Sequence, residues 1–204
     1  MTSTANRRRK ALILGPEHHG KQMPLALFSS LETRDGVVFE LGRGRIEMGE
    51  IPSRVHALVL QAVQLQFRAY QSLHPTVIRY QAGGSDAKAM VDAFESERHP
   101  DWSVYTSKMP HVEQPWSIWN PTLVVEVVSP SSIKRDYQEK PPEYLAIGVF
   151  QYWILDPMKS QLLVKTNKGG LWQDKVYKAG AKVTCPLLPK FSFDLRRAFA
   201  AAKA

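Results

Sequence analysis

Leu123-Val124-Val125-Glu126-Val127-Val128, closed by Ser129-Pro130, is the most apolar run in the chain, and it carries one carboxylate near its centre. A short run that is apolar on both alternating faces and stopped by Ser-Pro reads as a strand buried on both sides. Side chains alternate along a strand, so Glu126 shares its face with Val124 and Val128, and neither offers a hydrogen bond or a positive charge. An ionised carboxylate there is costly unless something compensates it. A divalent metal ion would do so, and so would a buried Lys or Arg from elsewhere in the fold.

On the N-terminal side of this run, Trp102-Ser103-Val104-Tyr105 is a short alternating strand that starts beside Asp101, just after Pro100. Further back, Thr76 to Tyr80 reads as a strand. Ser53 is placed to cap a long helix reaching about Tyr70, with Val55, Leu58, Val59, Ala62, Val63, Phe67 and Tyr70 on its apolar face. Val37 to Leu41 and Arg45 to Met48 flank Gly42-Arg43-Gly44 as a hairpin. Leu25 to Leu31 is a helical candidate. The stretch from Gly83 to His99 fits no regular pattern and reads as an insertion.

On the C-terminal side, a polar segment from Ser131 to Lys140 leads to a helix expected over Pro142 to Ile147, stopped by Gly148. Because Lys140 precedes Pro141-Pro142, a smooth helix through it is not expected. Lys140 should project from the loop or the first turn. Tyr152 to Leu155, closed by Asp156-Pro157, is another strand; Leu162 to Lys165 and Trp172 to Tyr177 form a second hairpin; Phe191 to Ala202 packs as a short helix or tail. The order is a mixed α/β one.

The chain of 204 residues has enough apolar content, 44%, for one cored domain, expected over residues 21–204 after a basic, flexible tail over 1–20. No stretch is apolar for the ~20 residues a bilayer span needs. No apolar secretory segment follows Arg7-Arg8-Arg9-Lys10, so a cytoplasmic protein with no membrane partner is expected. The single Cys185 agrees, since one thiol cannot close an internal disulfide. The formal net charge is +8, and four of the positive charges lie in Arg7, Arg8, Arg9 and Lys10, a candidate for nonspecific contact with a phosphate backbone.

Several pieces occur in order at short spacing: Pro100-Asp101, LVVEVVSPSS over 123–132, Arg135 to Lys140, Glu143-Tyr144-Leu145 with Gly148-Val149, and YWILDP over 152–157. With Phe39-Glu40-Leu41, His56 and the ending Pro186 to Ser192, they resemble the Uma-two family, bacterial proteins of the restriction-endonuclease-like fold in the PD-(D/E)XK nuclease superfamily. The resemblance implies an α/β fold with a central mixed β-sheet flanked by helices. It implies a magnesium- or manganese-dependent endonuclease acting on DNA, with a homodimer left open. Asp101, Glu126 and the Val127 carbonyl would hold the metal. Val128 stands where similar nucleases place a Lys, and the family commonly supplies that amine from the following segment, which matches Lys140. Thr122 stands where many relatives carry Asp after Pro. Glu40 and His56 are further candidates, Glu40 as a third acidic group and His56 as a packing or hydrogen-bonding residue of the long helix.

The chemistry accounts for these residue types. A hard cation favours carboxylate oxygens and waters, and a nearby ammonium can orient the attacking water and stabilise charge on the phosphate. Asp136 reads as a helix cap or a partner of Lys134 or Arg135, and Cys185 has no nucleophile signature. The rival to an active nuclease is a degenerate module that keeps the fold and binds nucleic acid or protein; phosphoryl or sugar chemistry on a small molecule is a third reading.

Overall fold

The computed structural model describes residues 12–34, 37–49 and 51–203, so Arg7, Arg8, Arg9 and Lys10 lie outside it. Part of the segment assigned to the tail is structured: β1 (Ile13–Leu14) pairs in parallel with β2 (Glu32–Thr33), and Leu14 is wholly buried. Between them α1 is a single turn, Leu25–Phe28, shorter than the sequence suggests. The first hairpin is as expected. β3 (Phe39–Gly42) and β4 (Arg45–Met48) pair antiparallel, and positive φ at both Arg43 and Gly44 gives the two-residue turn the twist a hairpin needs.

Ser53 caps α2 (Arg54–Leu73), its hydroxyl accepting the His56 N–H. Val59, Ala62, Val63, Phe67 and Tyr70 are the buried stripe; of the others expected on it, Val55 is exposed and Leu58 is half-buried. The strand expected over Thr76 to Tyr80 starts later, as β5 (Tyr80–Ala82), since a turn closed by Val77 N–H on the His74 carbonyl precedes it. The stretch 83–99 is no insertion. It supplies β6 (Ala89–Val91) and β7 (Ser96–Arg98), which complete a four-stranded sheet in the order β4-β3-β7-β6. Its signal is faint because each strand is only three residues long and one-turn helices interrupt the stretch before and after β6.

The principal sheet has six strands. β8 (Trp102–Tyr105) pairs with β5 and with β9 (Leu123–Val127), both antiparallel; β9 runs parallel to β10 (Gln151–Asp156), and β11 (Gln161–Lys168) and β12 (Leu171–Lys178) add an antiparallel hairpin. The parallel pair needs a crossover, and α3 (Lys140–Ala146) provides it. The last elements are the two-residue pair β13 (Lys182–Val183) and β14 (Phe193–Asp194), followed by α4 (Leu195–Ala201). Alternation along β9 divides the core as the sequence implies. Leu123, Val125 and Val127 pack toward α2 and α4 with Val59, Phe67 and Trp153, whereas Val124 and Val128 face α3 with Tyr144, Tyr152 and Ile154.

The approach to α3 departs from expectation. Residues 133–146 are continuously helical, with a π-helical turn over Arg135–Glu139 immediately before α3. Lys140 has α-helical backbone angles and donates its N–H five residues back, to the Arg135 carbonyl. The wider turn gives the two prolines room in a helix that would otherwise clash with them. Helix and Pro-Pro are thereby reconciled, and Lys140 is held in the helix rather than in a loop.

Candidate active site

The pairing of β8 with β9 sets Trp102 opposite Val125. One residue further along the same register, Asp101 lies beside Glu126, so the two acidic residues are neighbours at one end of the sheet. Their backbones hold them there. Asp101 Oδ2 accepts the Val127 N–H at 2.7 Å, and the Asp101 N–H makes a long contact of 3.4 Å with Glu126 Oε2. Behind Asp101 the chain at Gly83 passes so close that an added Cβ would sit 1.9 Å from the Asp101 carbonyl oxygen, and the Gly84 N–H bonds the Pro100 carbonyl at 2.9 Å. Only glycine fits there.

Glu126 is 2% exposed, and its compensation comes from α3. Lys140 Nζ lies 2.9 Å from Glu126 Oε1, and the Tyr144 hydroxyl donates to the same oxygen at 2.7 Å. Lys140 is itself buried and reaches Asp136 Oδ1 at 3.2 Å, one turn back, while Ser132 Oγ donates to Asp136 Oδ2 at 2.5 Å. The sequence offered Asp136 as a cap or a partner of Lys134 or Arg135; it pairs with Lys140 instead, at the i,i+4 spacing that puts two side chains on one helix face.

Burial pushes the Glu126 carboxyl up to about 8; Lys140 opposes this, and the charges of Asp101, Asp136 and Glu40 add to it. Burial alone would drive the Lys140 ammonium to release its proton, but Glu126, Asp136, Glu40 and Asp101 outweigh it and raise its pKa, so it stays charged.

Both further candidates reach the site. His56, in the first turn of α2, places Nε2 3.0 Å from Asp101 Oδ2; burial disfavours its charged form, yet the hydrogen bond and charge of Asp101 leave its pKa raised. His56 Nδ1 is buried with no partner among the described residues. Glu40 accepts the His99 N–H at 2.9 Å and Arg98 Nη1 at 3.4 Å; despite burial, Lys140, Arg98 and His99 hold its carboxyl below the usual range. Glu40, Asp101, Glu126, Asp136, Lys140 and His56 all line one cleft of about 570 Å³. Elsewhere, Thr122 bonds Thr106 through their hydroxyls at 2.9 Å, and burial pushes the Cys185 thiol up to about 11, consistent with an inert core residue.

Sequence reading missed Tyr144 and Arg98. Tyr144 follows Lys140 by four residues, the same helical spacing as Asp136 and Lys140, and that spacing could have found it. Arg98 is wholly buried yet carries no local signal, because its partners are remote in sequence.

A protein-family model named Uma2 (Uma-two), described as "Putative restriction endonuclease", matches residues 25–196. The fold is also that of a solved structure from Anabaena variabilis ATCC 29413, described as "a putative nuclease belonging to DUF820". That chain is 16% identical, with a TM-score of 0.70, and the match covers 88% of this chain and 99% of the other. No curated protein matches. No helix is long and apolar enough to cross a membrane among the described residues.

Proposed function

This chain belongs to the Uma2 family, and from that premise we propose a magnesium- or manganese-dependent endonuclease that hydrolyses DNA phosphodiester bonds. The observation that carries the reading is the meeting of Asp101, Glu126 and Lys140 in one cleft, with Lys140 Nζ 2.9 Å from Glu126 Oε1. The donors suit a small hard cation. Glu126 Oε1 is occupied by Lys140 and Tyr144, and Asp101 Oδ2 by Val127 and His56, which leaves Glu126 Oε2 and Asp101 Oδ1 as the less committed oxygens. With the Val127 carbonyl they make an all-oxygen set. No group of three or more His, Cys, Asp and Glu side chains is gathered as metal ligands among the described residues, so waters would complete the shell, as magnesium favours. When bound, the ion would polarise a phosphoryl oxygen and lower the pKa of a water.

The protein's own groups divide the remaining work. Lys140 is held protonated, so it serves to orient the attacking water and to stabilise negative charge on the phosphate rather than to accept a proton. Tyr144 fixes the Glu126 rotamer, and His56 fixes Asp101. Glu40, Glu47, Asp101 and Asp136 make the cleft acidic against Arg135 and Lys140, so a bound cation would favour entry of a polyanionic substrate. Arg7 to Lys10, from their charge, would add salt-sensitive affinity.

The rival, a degenerate module binding nucleic acid or protein, is favoured by Val128 in the usual Lys position. Fluorescence anisotropy with a DNA duplex, with manganese and with a chelator, separates the two. The active-enzyme reading predicts binding that strengthens with manganese in the wild type and much less in Asp101→Asn; equal binding in the chelator supports the module.

A further inference from the structure

Arg98 lies at the end of β7, wholly buried, and faces three carboxylates. Its Nε and Nη2 meet Glu143 Oε2 and Oε1 at 2.7 and 3.2 Å, a two-pronged contact, while Nη1 lies 3.1 Å from Glu47 and 3.4 Å from Glu40. Glu143 is also wholly buried, and Arg43 Nε reaches its Oε1 at 3.2 Å from the hairpin turn. These partners belong to different layers. Glu40 and Glu47 are on β3 and β4, which contribute to the cleft, whereas Glu143 is on α3, one turn after Lys140 and next to Tyr144.

The π-helical turn gives such a clamp a role. It removes the regular i→i+4 ladder before Lys140, and Pro141 and Pro142 donate no backbone hydrogen bond. The backbone around Lys140 therefore does not by itself fix the azimuth of α3. Outside contacts must. Trp172 Nε1 bonds the Pro141 carbonyl at 2.9 Å from the sheet side, and Arg98 grips Glu143 from the smaller sheet. A guanidinium fork on a carboxylate restrains rotation as well as distance, which a lysine ammonium does not.

We infer that Arg98, through its clamp on Glu143, is a positioning residue that sets α3 so that Lys140 and Tyr144 converge on Glu126. The consequence for turnover rests on the nuclease reading; the consequence for Lys140 does not. Displacing α3 by an ångström would withdraw the ammonium from Glu126 and lower kcat about 100-fold, with KM for DNA close to wild type because Lys140 is a buried group of the cleft and not an exposed surface charge.

The test uses Arg98→Lys in the full-length protein, with two chemical probes in the metal-free state. Amine acylation followed by mass spectrometry reads the exposure of Lys140, and a thiol reagent reads Cys185, which is buried on the opposite face of the principal sheet. The expected result is a Lys140 that becomes reactive while Cys185 stays protected, together with the fall in kcat. A Lys140 as protected as in the wild type overturns the inference, whatever kcat does. Should Cys185 also become reactive, Glu143→Gln, which keeps the side-chain shape, decides by the same two criteria. If the wild type cleaves no DNA, the nuclease reading fails while the two probes still decide the role of Arg98.

Discussion

Glu126→Gln should stabilise the metal-free protein at high pH and leave it nearly unchanged at low pH. The carboxyl is raised from its ordinary 4.5 to about 8, chiefly by burial, with Lys140 opposing and Asp101, Asp136 and Glu40 reinforcing. For a group whose folded pKa is raised, the stabilising contribution is complete below about 4.5 and is lost as pH climbs through about 8. Above that, the folded state carries a buried negative charge at a cost on the order of a few kcal/mol. The amide keeps an oxygen to accept from Tyr144 and Lys140 and never ionises. In a chain of this length the difference is worth roughly 5–15 °C in melting temperature. Calorimetric melting in a chelator from pH 5 to 9 should show the two proteins together at the acid end and the variant higher at the alkaline end. Added magnesium, by favouring the ionised carboxylate, should raise the wild type at pH 8 and scarcely move the variant. Parallel melting profiles across the range would refute the placement of Glu126 as a desolvated, charge-strained carboxyl.

Lys140→Ala should lower turnover about 10²- to 10³-fold and, because it removes a buried cation from between Glu126 and Asp136, cost about 3 kcal/mol in denaturant melts; wild-type turnover would remove Lys140 from the mechanism. Gly83→Ala drives a methyl into the Asp101 carbonyl, so it should destabilise by about 1–3 kcal/mol and weaken manganese affinity in a calorimetric titration; an unchanged affinity would show that the Gly83 contact does not position Asp101. Glu97, despite burial, has its pKa lowered to about 2 by hydrogen bonds from His99, Lys88 and Ser29. Its contribution is therefore present above about 4.5 and is lost as pH falls toward 2, so Glu97→Gln should flatten the acid limb of a melting profile, and a limb of wild-type steepness would count against it.

What was legible in the sequence follows from range. The strand around Glu126 and the stripe of α2 were readable because a doubly buried strand and an amphipathic helix write their burial into adjacent residues. Asp101 and Glu126 could be paired through the family resemblance, and the β8–β9 register then made them neighbours. Lys140 shows the opposite case. Its target was expected, but its conformation was not, since the rule against helix before Pro assumes a regular ladder and here a π-helical turn intervenes. Residues 83–99 were opaque because β7 pairs with β3 more than fifty residues upstream and β6, which pairs only with β7, is three residues long, too short to write a period. Arg98 is the extreme of the same effect. A lone Arg in sequence gives no sign that Glu40, Glu47 and Glu143 surround it.

The central claim is that Asp101 and Glu126 support metal-dependent phosphodiester cleavage. Nicking of supercoiled plasmid by the full-length protein, with manganese or magnesium and with a chelator, beside Glu126→Gln, tests it most directly. The account predicts open-circular product that appears only with the metal ion and falls by at least two orders of magnitude in the variant. Nicking that persists undiminished in Glu126→Gln, or no nicking by the wild type at any metal concentration, would contradict it.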